Sequence, residues 1–247
     1  MKKSFLAAAA VAALGATVPG AAFADLAFNV GGVTDYRYRG ISQTRNMGAL
    51  QGGVDYSHKS GAYAGAWAST IRWVQDAGGN ADLELDLYGG YKGSLTSWLS
   101  YDVGGLYYFY PNNQLKSVTG ADANTFELYT AVTVGPATFK GSYALTDTFG
   151  NPNSDGSFYL DASATFELLG GLMLTPHAGW QRIEGPNKGP GSYVDYSLAV
   201  SKDVGSGWVL SATGIFTRRI DGAFYSSPYN GKYLGGAALV LGAKYNF

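Results

Sequence analysis

Two short ladders of charge are the residues best placed to do chemistry. Asp82, Glu84 and Asp86 alternate with Leu83, Leu85 and Leu87; Asp35, Arg37 and Arg39 alternate with Thr34, Tyr36 and Tyr38. Side chains alternate faces along a β-strand, so each ladder would set charge on one face and apolar or aromatic groups on the other. Carboxylate oxygens at this spacing suit calcium, but no glycine-turned loop surrounds them. A hydrated wall is the simpler reading, and no metal or cofactor is assigned. Hydrolytic chemistry needs a nucleophile and a base within reach. The chain has two histidines and no cysteine. His58 belongs to the turn segment His58-Lys59-Ser60-Gly61, and His177 has no acidic neighbour in sequence. No Gly-x-Ser-x-Gly elbow is present. No catalytic residue is therefore assigned, and the chain reads as something other than an enzyme.

The ladders belong to a repeated pattern. About twelve alternating segments follow one another: 28–39, 49–57, 62–73, 81–91, 98–110, 125–134, 137–146, 158–167, 172–181, 193–201, 208–217 and 234–247. Each is near the ~9–11 residues that a tilted spanning strand requires. Long polar connections (40–48, 74–80, 111–123, 147–157, 182–192, 218–232) alternate with short ones (58–61, 92–97, 135–136, 168–171, 202–207), as in outer-membrane barrels. In the third segment Tyr63, Trp67, Ile71 and Trp73 are expected outward, with Arg72 inward. Pro176 in the ninth predicts a bulge, because proline cannot donate to a ladder.

The alternation assigns Asp35, Arg37, Arg39, Arg72, Asp82, Glu84, Asp86, Asp102, Glu127 and Lys244 to the lumen, with Asp55, Lys140, Asp161, His177 and Asp195 on the same side. Arg37, Arg39 and Lys244 would form a basic wall on the first and last strands. Asp82, Glu84, Asp86, Asp102 and Glu127 would form an acidic wall on the fourth to sixth. Facing walls of opposite sign would orient solutes in a narrow pore. Arg72 and Asp82, about equidistant from their loop, are expected to pair. Aromatic girdles mark both rims: Trp98, Trp208, Tyr245, Phe247, Tyr63 and Tyr91 at one, and Tyr36, Tyr38, Trp73, Tyr107, Phe109, Trp180 and Phe216 at the other.

Both ends agree with this pattern. Lys2 and Lys3, an apolar run from Phe5 to Val18, and Ala22-Phe23-Ala24 compose a secretory signal peptide over residues 1–24, cleaved after Ala24. The run is too short for a spanning helix. At the other end Leu239, Leu241, Ala243, Tyr245 and Phe247 alternate to a terminal aromatic. Tyr245 and Phe247 thus read as a barrel-assembly signal.

Composition narrows the choice further. Charged residues make up 14% of the chain, with 36 Gly and 19 Tyr, against ~25% charged in a typical soluble domain. No later stretch is apolar enough for a membrane helix. The polar face is rich in Gly, Ala and Ser and poor in lysine, which argues against a soluble sandwich. With 17 basic and 18 acidic residues, the chain lacks the basic face that nucleic acid selects.

The segment Asn29-Val30-Gly31-Gly32-Val33-Thr34-Asp35-Tyr36-Arg37-Tyr38-Arg39-Gly40-Ile41-Ser42-Gln43-Thr44 resembles the opening of the TorF family of porin-like proteobacterial proteins, otherwise of unknown function. Ala49 to His58, followed by Gly61 to Trp67, is similar to its second block. Gly31-Gly32 stands where the family pattern has one glycine and a bulkier residue. The resemblance implies an outer-membrane barrel with a pore-like role and supplies no catalytic residue.

The expectation is an all-β protein: one transmembrane antiparallel β-barrel over residues 25–247, in a Gram-negative outer membrane. Its partners would be outer-membrane lipid, the barrel-assembly machinery and small polar solutes diffusing through a charged lumen. No oligomer is assigned. A barrel hydrolase acting on lipid or peptide, or a closed structural or adhesion barrel, are the alternatives.

Overall fold

The computed structural model describes residues 25–218 and 221–247. The expected signal peptide lies outside the described residues. Twelve strands dominate: β1 (Asp25–Val33), β2 (Ala49–Ser57), β3 (Ala62–Thr70), β4 (Leu83–Ser94), β5 (Leu99–Phe109), β6 (Thr125–Val134), β7 (Ala137–Ala144), β8 (Phe158–Ala164), β9 (Leu172–Arg182), β10 (Tyr193–Gly205), β11 (Trp208–Arg218) and β12 (Ala238–Asn246). Each pairs antiparallel with the next, and β12 returns to β1 with Asn29 opposite Asn246 and Val33 opposite Gly242. The ring is closed. Closure satisfies the backbone groups that an open sheet edge would leave bare in lipid. No described helix is long and apolar enough to cross a membrane.

The outer surface carries the apolar half of the alternation. Leu50 and Leu239 are 65% and 68% exposed, and Phe28, Leu87, Phe139 and Leu210 project beside them. Exposed apolar area on this scale needs a non-aqueous neighbour. Aromatic pairs stand near the strand ends: Trp208 with Tyr245 and Tyr245 with Phe247 at the short-turn end, Tyr107 with Phe109 and Phe158 with Trp180 at the long-loop end.

Several expectations need correction. The first strand stops at Val33, so Asp35, Arg37 and Arg39 are not on the barrel wall. They belong to an in-folded segment, 34–48, carrying a small hairpin (Arg37–Tyr38 with Ile41–Ser42). The third strand faces the other way from the expectation: Tyr63 and Trp67 point inward, and Ala64, Ala66 and Ala68 point out. Its register decides this, because Gly53 and Asp55 pair with Trp67 and Gly65, and Trp67 with Asp86. β3 ends at Thr70; Ile71 is fully buried, and Trp73 opens a short helix, α1 (Trp73–Asp76). The last strand begins at Ala238 rather than Leu234.

Pro176 produces no bulge. It stays in register opposite Leu198. Its missing donor shows instead on the neighbouring strand, which is interrupted at Thr165 and resumes as Phe166–Glu167 without a register change. On its other side, Thr165 N–H donates to the Pro136 carbonyl at 3.0 Å and continues the ladder to β7.

An apolar core lies under the long loops. Ile71, Val74, Tyr110, Leu115 and Ala123, from the connections flanking β4 and β5, pack with Tyr36. Asn80 N–H donates to the Asn113 carbonyl and ties the two loops together. These loops hold the in-folded segment from above.

Candidate functional site: the lumenal constriction

Segment 34–48 leaves β1 and turns into the barrel. Its base is self-contained. Arg37 Nε donates to Asp35 Oδ2 at 2.7 Å, and Ser42 Oγ donates to Asp35 Oδ1 at 2.6 Å. The remaining Arg37 nitrogens donate to the carbonyls of Gly40 and Gly236 and to Asn46 Oδ1. The Asp35 and Arg37 charges are thus neutralised within the hairpin and its immediate neighbours.

The tip reaches across the lumen. Arg39 and Gly40 both have positive φ, +47° and +82°. A Cβ on Gly40 would stand 2.7 Å from Asp195 Cβ and 2.8 Å from Thr217 Cγ2, so only glycine permits this approach to β10 and β11. Arg39 Nη2 donates to Glu127 Oε2 on β6 at 2.6 Å, and Nη1 donates to Gln181 Oε1 on β9 at 2.7 Å. The guanidinium lies 4.8 Å from the Tyr38 ring centre and 4.3 Å from that of Tyr159. Tyr38 and Tyr108 share a hydroxyl hydrogen bond of 2.5 Å, and Tyr108 Oη donates to Glu127. Tyr36 Oη donates to Glu84 Oε1 at 2.9 Å, and its ring meets Trp67 edge-on at 5.4 Å. The in-folded segment therefore hydrogen-bonds β4, β5, β6 and β9 and packs against β8, β10 and β11.

Two further clusters line the wall. His177 Nε2 lies 2.6 Å from Asp161 Oδ2, and Nδ1 lies 3.5 Å from Asp195 Oδ2. Tyr159 Oη donates to Asp195 Oδ1 at 2.9 Å and lies 3.2 Å from His177 Nε2. No acidic residue neighbours His177 along the chain, because its partners are 16 and 18 residues away on the flanking strands. Cross-strand offset was the only available signal. Toward the short-turn end, Tyr63 Oη donates to Asp102 Oδ1 at 2.5 Å and bonds Tyr129, while Tyr88 Oη donates to Asp55. Lys140 lies over the Tyr129 ring and Lys92 over that of Tyr63. Tyr88 and Tyr129 each lie over an inward glycine of the adjacent strand, Gly65 and Gly104, where any Cβ would collide with the ring.

The expected lumenal residues thus fall into three places. Glu84, Asp86, Asp102 and Glu127 are on the inner wall. Asp35, Arg37 and Arg39 are on the hairpin. Arg72 and Asp82 do pair, but at 4.0 Å with side chains 42% and 67% exposed, so they stand at the long-loop mouth. Lys244 faces inward near the short-turn end, opposite Gly31 and Val209. The expected basic wall does not form: Arg39 meets its acidic partner directly, and Lys244 is distant from it. Among the described residues no group of three ligands suited to a metal occurs.

The closed barrel is a porin fold. The chain is similar to the KdgM porin structure (TM-score 0.58, 8% identity, 90% of this chain and 99% of that one). It is also similar to the NanC porin (0.55, 11%, 90% and 99%). A third match is the KdgM porin in complex with disordered oligogalacturonate (0.55, 8%, 90% and 98%). At these identities the likeness is one of fold. No curated protein matches the chain in sequence. A family model matches residues 18–247, and by that match the chain belongs to the Gcw_chp family, bacterial proteins of unknown function.

Proposed function

We propose that the protein is a porin-like channel of a Gram-negative outer membrane, through which small polar solutes diffuse passively. One observation carries the reading: a closed barrel, apolar outside, holds charged groups and an in-folded hairpin inside. Interior charges are tolerated in a membrane protein where they meet water or one another. The resemblance of residues 29–67 to the TorF porin-like family supports the same reading. Asp86, Asp102, Glu127 and Lys244 line the path, and Arg39 sets its narrowest point. Inward acids outnumber inward bases, so neutral and cationic solutes are favoured over anions. The KdgM neighbour, bound to an oligogalacturonate, handles a ligand of the opposite sign.

The test is single-channel conductance of the purified full-length chain in a planar bilayer under a salt gradient. Stable ohmic steps with a cation-directed reversal potential are expected. Silence from a barrel with heat-modifiable gel mobility would mean that the hairpin seals the lumen, favouring a structural barrel. Hydrolysis abolished by His177→Ala would favour an enzyme built on the Asp161–His177 pair. The exported precursor should insert through the barrel-assembly machinery, and deleting Phe247 should lower outer-membrane levels on a quantitative blot. Unchanged levels would refute that role for the tail.

A further inference from the structure

Three lumenal cations follow one rule. Arg39 lies over Tyr159, Lys140 over Tyr129 and Lys92 over Tyr63, each within 5.1 Å of a ring centre. Arg39 also has a carboxylate in contact, Glu127. One patch of the wall carries the rings and the carboxylates but no cation. Glu84 and Asp86 sit two residues apart on the inward face of β4. Glu84 is 2% exposed. Its Oε1 accepts from Tyr36 at 2.9 Å; the Tyr110 hydroxyl also interacts with this carboxylate, and Oε2 has no partner in good hydrogen-bond geometry. Asp86 Oδ1 is also buried and unpartnered. Among the described residues no Lys, Arg or His forms an ion pair with either carboxylate. The rings beside them are Trp67, opposite Asp86 across the β3–β4 ladder, and Tyr36 against Trp67. No cation of the described chain lies over either ring.

Buried carboxylates without a counter-charge are costly. Two on one face also repel, and they are relieved by protonation, by a metal ion or by a cation brought by the solute. Two carboxylates fall short of the oxygen cage that a divalent ion needs. Aromatic walls favour an organic cation, which exchanges hydration for ring faces at little loss. We infer that Glu84 and Asp86, with Trp67 and Tyr36, form a lumenal binding site for the ammonium group of a small amine. The inference rests on the channel reading only for its route of entry. Tyr36 covers the patch from the long-loop side. Asp86 keeps partial exposure, so the amine would meet it before Glu84. Ammonium N–H groups would donate to Glu84 Oε2 and Asp86 Oδ1, and the alkyl chain would lie along Trp67.

The experiment is titration calorimetry of the full-length barrel in detergent with n-butylammonium chloride, against n-butanol and potassium chloride, paired with bilayer conductance of the same preparation. Saturable binding of the amine is expected, with none of the alcohol and no competition from potassium at equal concentration. Glu84→Gln with Asp86→Asn should weaken amine binding about ten-fold or more, the loss of two charge-assisted hydrogen bonds. The single Asp86→Asn variant tests the same point if the pair fails to fold, and surface Asp155→Asn should bind as wild type. Heat-modifiable mobility certifies folding in every case. No amine binding by a folded wild-type barrel would overturn the site, and so would equal binding by Asp86→Asn. A double variant that is more stable while wild type binds no amine would mean that the pair is held protonated and overturn the site. A conducting barrel that ignores the amine sinks this inference and leaves the channel standing. A silent barrel that binds it sinks the channel and leaves the site.

Discussion

The long-loop half of the lumen and its short-turn half are lined by the same twelve strands, yet they are filled by different means. Near the long loops, Arg39 and Glu127 form an ion pair with side chains 6% and 2% exposed, brought together over 88 residues of chain. Near the short turns, part-buried tyrosine hydroxyls bond Asp102 and Asp55, and Tyr88 and Tyr129 cover the glycines of adjacent strands. The wall supplies the second arrangement by itself. The first requires an inserted loop. In the proposed channel, narrowing and charge selection would therefore fall to the hairpin, and the wall below it would need only to stay polar.

The most disruptive way to break this contrast is to remove the hairpin. Replacing residues 35–47 with a short Gly-Ser linker should raise single-channel conductance severalfold. The ladder from β1 to β12 does not use those residues, so folding should survive; unchanged conductance would mean that the narrow point lies elsewhere. Next in size is Arg39→Ala. It leaves Glu127 buried without its partner, which should cost about 3–5 kcal/mol in urea unfolding of the refolded barrel. Combining it with Glu127→Gln should recover part of that loss, and strict additivity would deny the pairing. Gly40→Val tests the tip alone. Its Cβ would meet Asp195 and Thr217 in a backbone conformation unfavourable for valine, at about 1–3 kcal/mol, and should displace the tip and widen the pore without removing charge. The smallest effect belongs to Arg72→Ala. The Arg72–Asp82 pair is long and exposed, so less than ~1 kcal/mol is expected. A large loss there would show that the mouth, too, is built on buried charge.

Much of the wall was legible in advance. Segments 49–57 and 125–134 were expected with the bounds that the fold gives them, and the inward positions of Glu84, Asp86, Asp102 and Glu127 follow directly from alternation. Strand 62–70 was misread because both of its faces are apolar: alanines alternate with aromatics, so period two leaves the direction open. Asp102 and Tyr129 from other strands, and Tyr36 from the in-folded segment, decide it by offering partners to Tyr63 and Trp67. The His177 cluster was invisible for a related reason, since its carboxylates come from both neighbouring strands.

By itself, the sequence determined the strand number, the alternation of long and short connections and the apolar outer belt. These are local consequences of side-chain period and turn residues, written within ten residues of wherever they act. Only the tertiary structure decided where residues 34–48 go. As a pattern, Thr34 to Arg39 is indistinguishable from a continued strand. A pair of left-handed residues, Arg39 and Gly40, closes it into a hairpin, and what holds it inward is a set of acceptors, Glu127, Gln181 and Glu84, that exist as one site only after the ring has closed. Burying a guanidinium is favourable only against partners already held in place, and no local pattern records that.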